Sequence, residues 1–136
     1  MHLKLYTDGG ARGNPGPAGI GVVIYDEKDK VLAKEKKYIG EATNNQAEYL
    51  AIVLGLEKAK ELGATEVECY LDSELVVQQI NGNYKVKDQN LAQQFLKVRN
   101  LKSKFEKILF SHIRREKNKV ADELVNQALD PAVRKQ

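Results

Sequence analysis

The stretch YTDGGARGNPGPAGIG, residues 6–21, holds six of the chain's ten glycines and two of its three prolines. A helix cannot cross such a segment, because glycine raises the entropic cost of ordering and proline removes a backbone donor. The chain must therefore begin with extended structure. LKLYT (3–7) alternates and reads as a strand, as do GIGVVIY (19–25) and VLAKEKKYI (31–39), with the turn DEKDK between the last two making a hairpin. Asp8 stands directly before the glycines, at the end of the first alternating run. Something has to approach the backbone closely beside a carboxylate.

Beyond residue 42 the pattern changes. Thr43-Asn44-Asn45-Gln46 has the form of a capping box, which predicts a helix from there to about Leu62, stopped by Gly63. EVECYL (66–71) reads as a strand, and Asp72 or Ser73 caps a short helix ending at Ile80. Residues 88–104 are helical, 106–113 form the last strand, and a final helix covers Asn118 to Leu129, with Pro131 after it. A hairpin followed by strand–helix alternation implies an α/β fold: a mixed sheet with helices on its faces. The strands at 3–7, 66–71 and 106–113 are expected to be parallel, and such sheets bind ligands at the carboxyl ends of their strands.

A length of 136 residues suits one domain, expected over 1–130 with a short tail at 131–136. No apolar run of about 18 residues is present, so no membrane association is expected. The start MHLKLYTD has no apolar leader, and the single cysteine, Cys69, reads as a small buried hydrophobe. These features point to a cytoplasmic protein. Net charge is +3 but uneven: residues 1–84 hold 9 Lys+Arg and 13 Asp+Glu, residues 85–136 hold 13 and 6. An acidic half beside a basic half fits a metal site next to a polyanion groove, or simply solvated helix faces.

Asp8 and Asp72 end strands that, if parallel neighbours, deliver both carboxylates to the same edge of the sheet. Taken singly, Asp8 also suits a turn and Asp72 a helix cap. Glu48 is harder to account for, because it shares a helix stripe with Ala51, Ile52, Gly55, Ala59 and Leu62. That stripe must face the sheet. A buried, unpaired carboxylate there is costly unless a cation or a proton offsets it. Asp122 is an ordinary first-turn acid unless it joins the others. Four clustered carboxylates need a cation, and hard oxygen ligands select Mg²⁺ or Mn²⁺. No zinc-type Cys/His cluster, no GxxxxGK[ST] loop and no Ser–His–Asp arrangement competes.

TDGGARGNPGPAGIG, TNNQAEYLAIVLGL, LDSELVVQQING and NKVADELVNQA resemble, in order, the four motif blocks of type 1 ribonuclease H, from about Leu3 to Leu129. The resemblance implies a ribonuclease H-like fold: a five-stranded mixed sheet, three antiparallel strands plus parallel ones, flanked by helices on both faces. It implies hydrolysis of the RNA strand of RNA–DNA hybrids, leaving 5′-phosphate and 3′-hydroxyl ends, with two Mg²⁺ ions (Mn²⁺ as substitute) on Asp8, Glu48, Asp72 and Asp122. It assigns substrate contacts to Gly9, Asn14, Thr43, Asn44 and Asn45, with the glycine loop lying close to sugars and phosphates. Some relatives also cut double-stranded RNA, so the resemblance leaves that substrate open, and a monomer is the expected state.

The chain departs from the family in three places. Glu74 stands where many relatives have glutamine, and an ionised carboxylate only accepts hydrogen bonds. SHIRREKNKVAD is shorter than the family's histidine-bearing loop: His112 reads as a strand residue but stays an auxiliary candidate, with Arg114, Arg115 and Glu116 better placed in the loop and Glu74 as a further candidate. NYKVK, between Gly82 and Asp88, is too short for the basic helix that some relatives carry. A non-catalytic nucleic-acid-binding module of the same fold is the alternative reading.

Overall fold

The computed structural model describes residues 1–134, with side chains through Pro131. The elements are β1 (His2–Ala11), β2 (Gly16–Tyr25), β3 (Val31–Ala42), α1 (Asn44–Glu61), β4 (Glu66–Leu71), α2 (Glu74–Ile80), α3 (Gln89–Lys102), β5 (Lys107–His112) and α4 (Lys119–Arg134), with a short 3-10 turn at Arg115–Lys117. The sheet order is β3-β2-β1-β4-β5. β1, β2 and β3 pair antiparallel; β1, β4 and β5 pair parallel. This is the mixed five-stranded sheet expected from the sequence.

α1 packs on β1 and β2, with α3 against it, while α4 packs on β2, β3 and β1. Leu3, Leu5, Val22 and Ile24 meet Tyr49, Ile52 and Leu56 of α1 in the main core, which continues into Val76 and Ile80 of α2 and Leu91 and Val98 of α3. α4 buries Ala121, Leu124, Val125 and Leu129, spaced as one stripe of a helix. The Thr43 capping box is formed, with Gln46 N–H donating to Thr43 Oγ1 at 3.1 Å and Thr43 N–H to Gln46 Oε1 at 2.8 Å.

Several boundaries differ from the sequence reading. β1 runs through Asp8 to Ala11 and β2 already begins at Gly16, so the glycine stretch is mostly sheet and Asp8 lies inside a strand, not at its end. The register Asp8↔Gly21, Gly9↔Ile20, Gly10↔Gly19, Ala11↔Ala18 supplies the ladder partners that make this possible despite glycine's entropic cost. Pro131, expected after the last helix, lies inside α4. In the last turn its missing N–H removes a single helical bond. Of the expected tail 131–136, residues 135 and 136 lie outside the described residues.

The glycines are needed for helix–sheet contact. A Cβ on Gly9 would stand 2.3 Å from the carbonyl of Ala47 in α1, and one on Gly21 would stand 2.5 Å from the carbonyl oxygen of Ala121 in α4. β1 and β2 are thus pressed between two helices at positions where no side chain fits. Gly21→Ala should lower stability by at least ~1–3 kcal/mol in urea unfolding, the usual range for overpacking. Gly10→Ala, whose Cβ would have its nearest neighbour at 3.9 Å, should be neutral or stabilising.

At the other end of β1, His2 places Nδ1 3.1 Å from Glu66 and Nε2 3.0 Å from Glu68. The two carboxylates, Glu68 foremost, raise its pKa above the ordinary value. A raised histidine pKa stabilises the fold fully below the unfolded value near 6.5, and the gain disappears as pH rises through the folded value. The stability difference between the wild type and His2→Gln should therefore be largest below about pH 6 and fade at alkaline pH.

Candidate active site

The parallel ladder between β1 and β4 ends at Tyr6↔Tyr70. Asp8 and Asp72 each lie two residues past that last pair, on the carboxyl side of both strands. Ser73 takes the N-cap of α2, accepting from Val76 N–H at 3.3 Å, which leaves the Asp72 carboxylate free of capping duty. Glu48 arrives from the first turns of α1, which can press against β1 only because Gly9 has no side chain. One carboxylate oxygen from each of Asp8, Glu48 and Asp72 lies within 4.8 Å of the others. Asp122, in the first turn of α4, lines the same cleft but stands outside that 4.8 Å group.

Asp8 and Glu48 are each only 7% exposed, and Glu48 Oε2 is buried without a hydrogen-bond partner. Burial pushes the Asp8 pKa up to about 7, helped by the charges of Asp72 and Asp122. Burial, then the charges of Asp8 and Asp72, hold Glu48 well above the ordinary carboxylate range, with the Gly9 backbone N–H pulling the other way. An all-oxygen donor set with an orphaned buried oxygen and mutual repulsion fits a hard divalent cation.

The acids line a cleft of about 310 Å³, together with Gly10, Asn44 and Arg115. Arg115 Nη2 stands 3.6 Å from Asp122 Oδ1. His112 is the last residue of β5 and exposed, as expected of a strand position, and neither it nor Arg114 lines the cleft. Glu74 is exposed in the first turn of α2. The GNPG turn and the start of α1 are tied together. Asn14 Oδ1 accepts from Asn44 N–H at 3.1 Å, and Asn44 Oδ1 accepts from Ala11 N–H at 2.8 Å. Thr43 and Asn45 are half-buried beside them.

One residue of the site was read from the sequence only as a helix start. Asn118 is 1% exposed, and its Nδ2 donates to Thr7 O at 2.9 Å and to Asp72 Oδ2 at 3.1 Å. The signals in the sequence were its place at the head of NKVADELVNQA and one helical turn before Asp122.

A family model described as reverse transcriptase-like matches residues 6–128. LC11 ribonuclease H1, solved in complex with an RNA/DNA hybrid, is 51% identical with a TM-score of 0.92, over 96% of this chain and 99% of that one. The chain belongs to the type 1 ribonuclease H family. Ribonuclease HI of Halobacterium salinarum is 40% identical over 96% of this chain and 65% of its own length. The solved ribonuclease H1 from that archaeon superposes with a TM-score of 0.94 at 38% identity, over 96% of this chain and 99% of that one. A bifunctional protein of Mycobacterium tuberculosis is 44% identical over 97% of this chain but only 36% of its own length. The chain thus spans about a third of that curated relative and just under two thirds of the archaeal one. Among the described residues, no helix of this ribonuclease H domain is long and apolar enough to cross a membrane.

The raised Asp8 pKa has a thermodynamic consequence. The folded state holds a proton that the unfolded state has already released, so stability without divalent metal falls as pH rises from about 3.8 to about 7. In EDTA at pH 8, Asp8→Asn should be more stable than the wild type by roughly 2–4 kcal/mol, and the difference should shrink as pH drops through that window. Thermal unfolding across pH checks it.

Proposed function

We propose that the chain is a metal-dependent endoribonuclease that hydrolyses the RNA strand of RNA–DNA hybrids, leaving 5′-phosphate and 3′-hydroxyl ends. The observation that carries this reading is the convergence of Asp8, Glu48 and Asp72 within 4.8 Å, with Glu48 Oε2 buried and unpartnered. Asp8, Glu48, Asp72 and Asp122 would hold two divalent cations, Mg²⁺ or Mn²⁺, which supply an activated water and stabilise the leaving oxygen. The protein's own part is to gather and desolvate the carboxylates and to present the substrate strand. Asn14, Asn44 and Asn45, with Thr43 and the Gly9 backbone, stand where they can meet the hybrid beside the cleft. The RNA 2′-hydroxyl is the group that distinguishes the strands. Asn14 and Asn44 already use their side-chain oxygens internally, which leaves their amide N–H groups to donate outward.

Arg115 is the auxiliary residue favoured by position, since its guanidinium lies over Asp122 while His112 stays outside the cleft. The exposed Lys97 and Arg99 of α3, with Tyr84, Lys85 and Lys87 before it, offer a modest grip on the DNA strand. Affinity should fall steeply with salt. The protein is expected to act as a cytoplasmic monomer. The alternative of a non-catalytic binding module would leave the desolvated carboxylates without a purpose.

The test is cleavage of one labelled strand in RNA–DNA hybrid, RNA–RNA and DNA–DNA duplexes, with Mg²⁺, Mn²⁺ or EDTA. Metal-dependent cutting of the hybrid's RNA strand is expected, and the RNA–RNA arm decides whether double-stranded RNA is also a substrate. Asp8→Asn or Asp72→Asn should lower the rate at least about a thousandfold, the factor that ~4 kcal/mol of transition-state stabilisation supplies. Hybrid binding with no cutting under any metal would establish the binding-module alternative.

A further inference from the structure

The distance between Asp8 and Asp72 is not set by the sheet. Backbone pairing of β1 with β4 stops at Tyr6↔Tyr70, and β1 beyond that point pairs only with β2. No ladder pair joins the two strands where the carboxylates converge. The side chain that spans the opening belongs to Asn118. Its amide nitrogen donates to the carbonyl of Thr7, the residue before Asp8, at 2.9 Å and to Asp72 Oδ2 at 3.1 Å. Only the nitrogen end of the amide can serve two acceptors, so its orientation follows from the contacts. The backbone oxygen of Asn118 accepts from Asp122 N–H at 3.0 Å, fixing the first turn of α4.

We infer that Asn118 is a positioning residue for metal binding: it replaces the missing rung between β1 and β4 and so sets the spacing of Asp8, Asp72 and Asp122. The inference rests on the reading that these carboxylates hold the cations. Two further observations support it. Asn118 Oδ1 is buried with no hydrogen-bond partner, so the side-chain hydrogen bonds of this amide are the two that its nitrogen makes to Thr7 and Asp72. Asp72 is held through one oxygen, Oδ2, in a fixed orientation that leaves Oδ1 for a cation. Orientation of ligating carboxylates by hydrogen-bonded neighbours commonly changes metal affinity by about 10–100-fold.

The test measures Mn²⁺ binding without nucleic acid, reading the unbound ion by electron paramagnetic resonance, for the wild type, Asn118→Ala and Asn118→Ser. The rise in Tm that saturating Mn²⁺ produces is read alongside. Both variants, folded by circular dichroism, should need at least about tenfold more Mn²⁺ for half-saturation and show a smaller rise in Tm at a fixed Mn²⁺ concentration. A folded variant with a lower Tm in EDTA but unchanged half-saturation makes Asn118 merely structural and overturns the inference. Failure of both variants to fold also overturns it, by making the amide a folding determinant. Absence of Mn²⁺ binding in the wild type would instead sink the metal reading itself.

Discussion

Desolvation of carboxylates at the end of a sheet is the constraint on which the rest of this structure depends. Asp8 and Glu48 are each almost wholly buried, within reach of each other and of Asp72. Charges so placed oppose folding unless protonated or neutralised by a cation. The apolar core must therefore supply a surplus, and it does so away from the site: Tyr49, Ile52 and Leu56 of α1 lie fully buried against Leu3, Leu5 and Ile24 of the sheet. The helix that brings Glu48 to the acids is held down by its own apolar stripe.

The glycines make that geometry possible. Gly9 lets the first turns of α1 touch β1, and Gly21 lets α4 touch β2. With α1 on one face and α4 on the other, Glu48 and Asp122 enter the cleft around Asp8 from two different helices. A residue with a Cβ at either position would push a helix outward and carry a carboxylate with it. Flexibility is therefore not what the glycine-rich segment chiefly contributes; most of it is ordered strand.

Much of this was legible in local patterns. The capping box at Thr43 is formed, and the Glu48 stripe is buried through Ala59. The order of strands and helices predicted β1 and β4 as parallel strands, the condition for Asp8 and Asp72 to share one edge, and the register bears out the parallel pairing. Less legible was anything that depends on a partner strand or helix. Asp8 reads as a strand end because glycines follow it, yet pairing with β2 carries the strand on to Ala11. Local preference at those glycines is weak, so tertiary contact decides. Pro131 reads as a helix stop, yet in the last turn of α4 it removes a single bond.

The sequence by itself determined the order of elements, the four acids and their motif blocks, because periodicity, capping and motif spacing are written in neighbouring residues. Only the tertiary structure decided how far apart those acids stand and what holds them. The partners of Asn118, Thr7 and Asp72, are 111 and 46 residues away along the chain. No local pattern encodes a contact between a helix start, the interior of one strand and the residue after another. That contact exists only once the sheet has formed and α4 has docked across it.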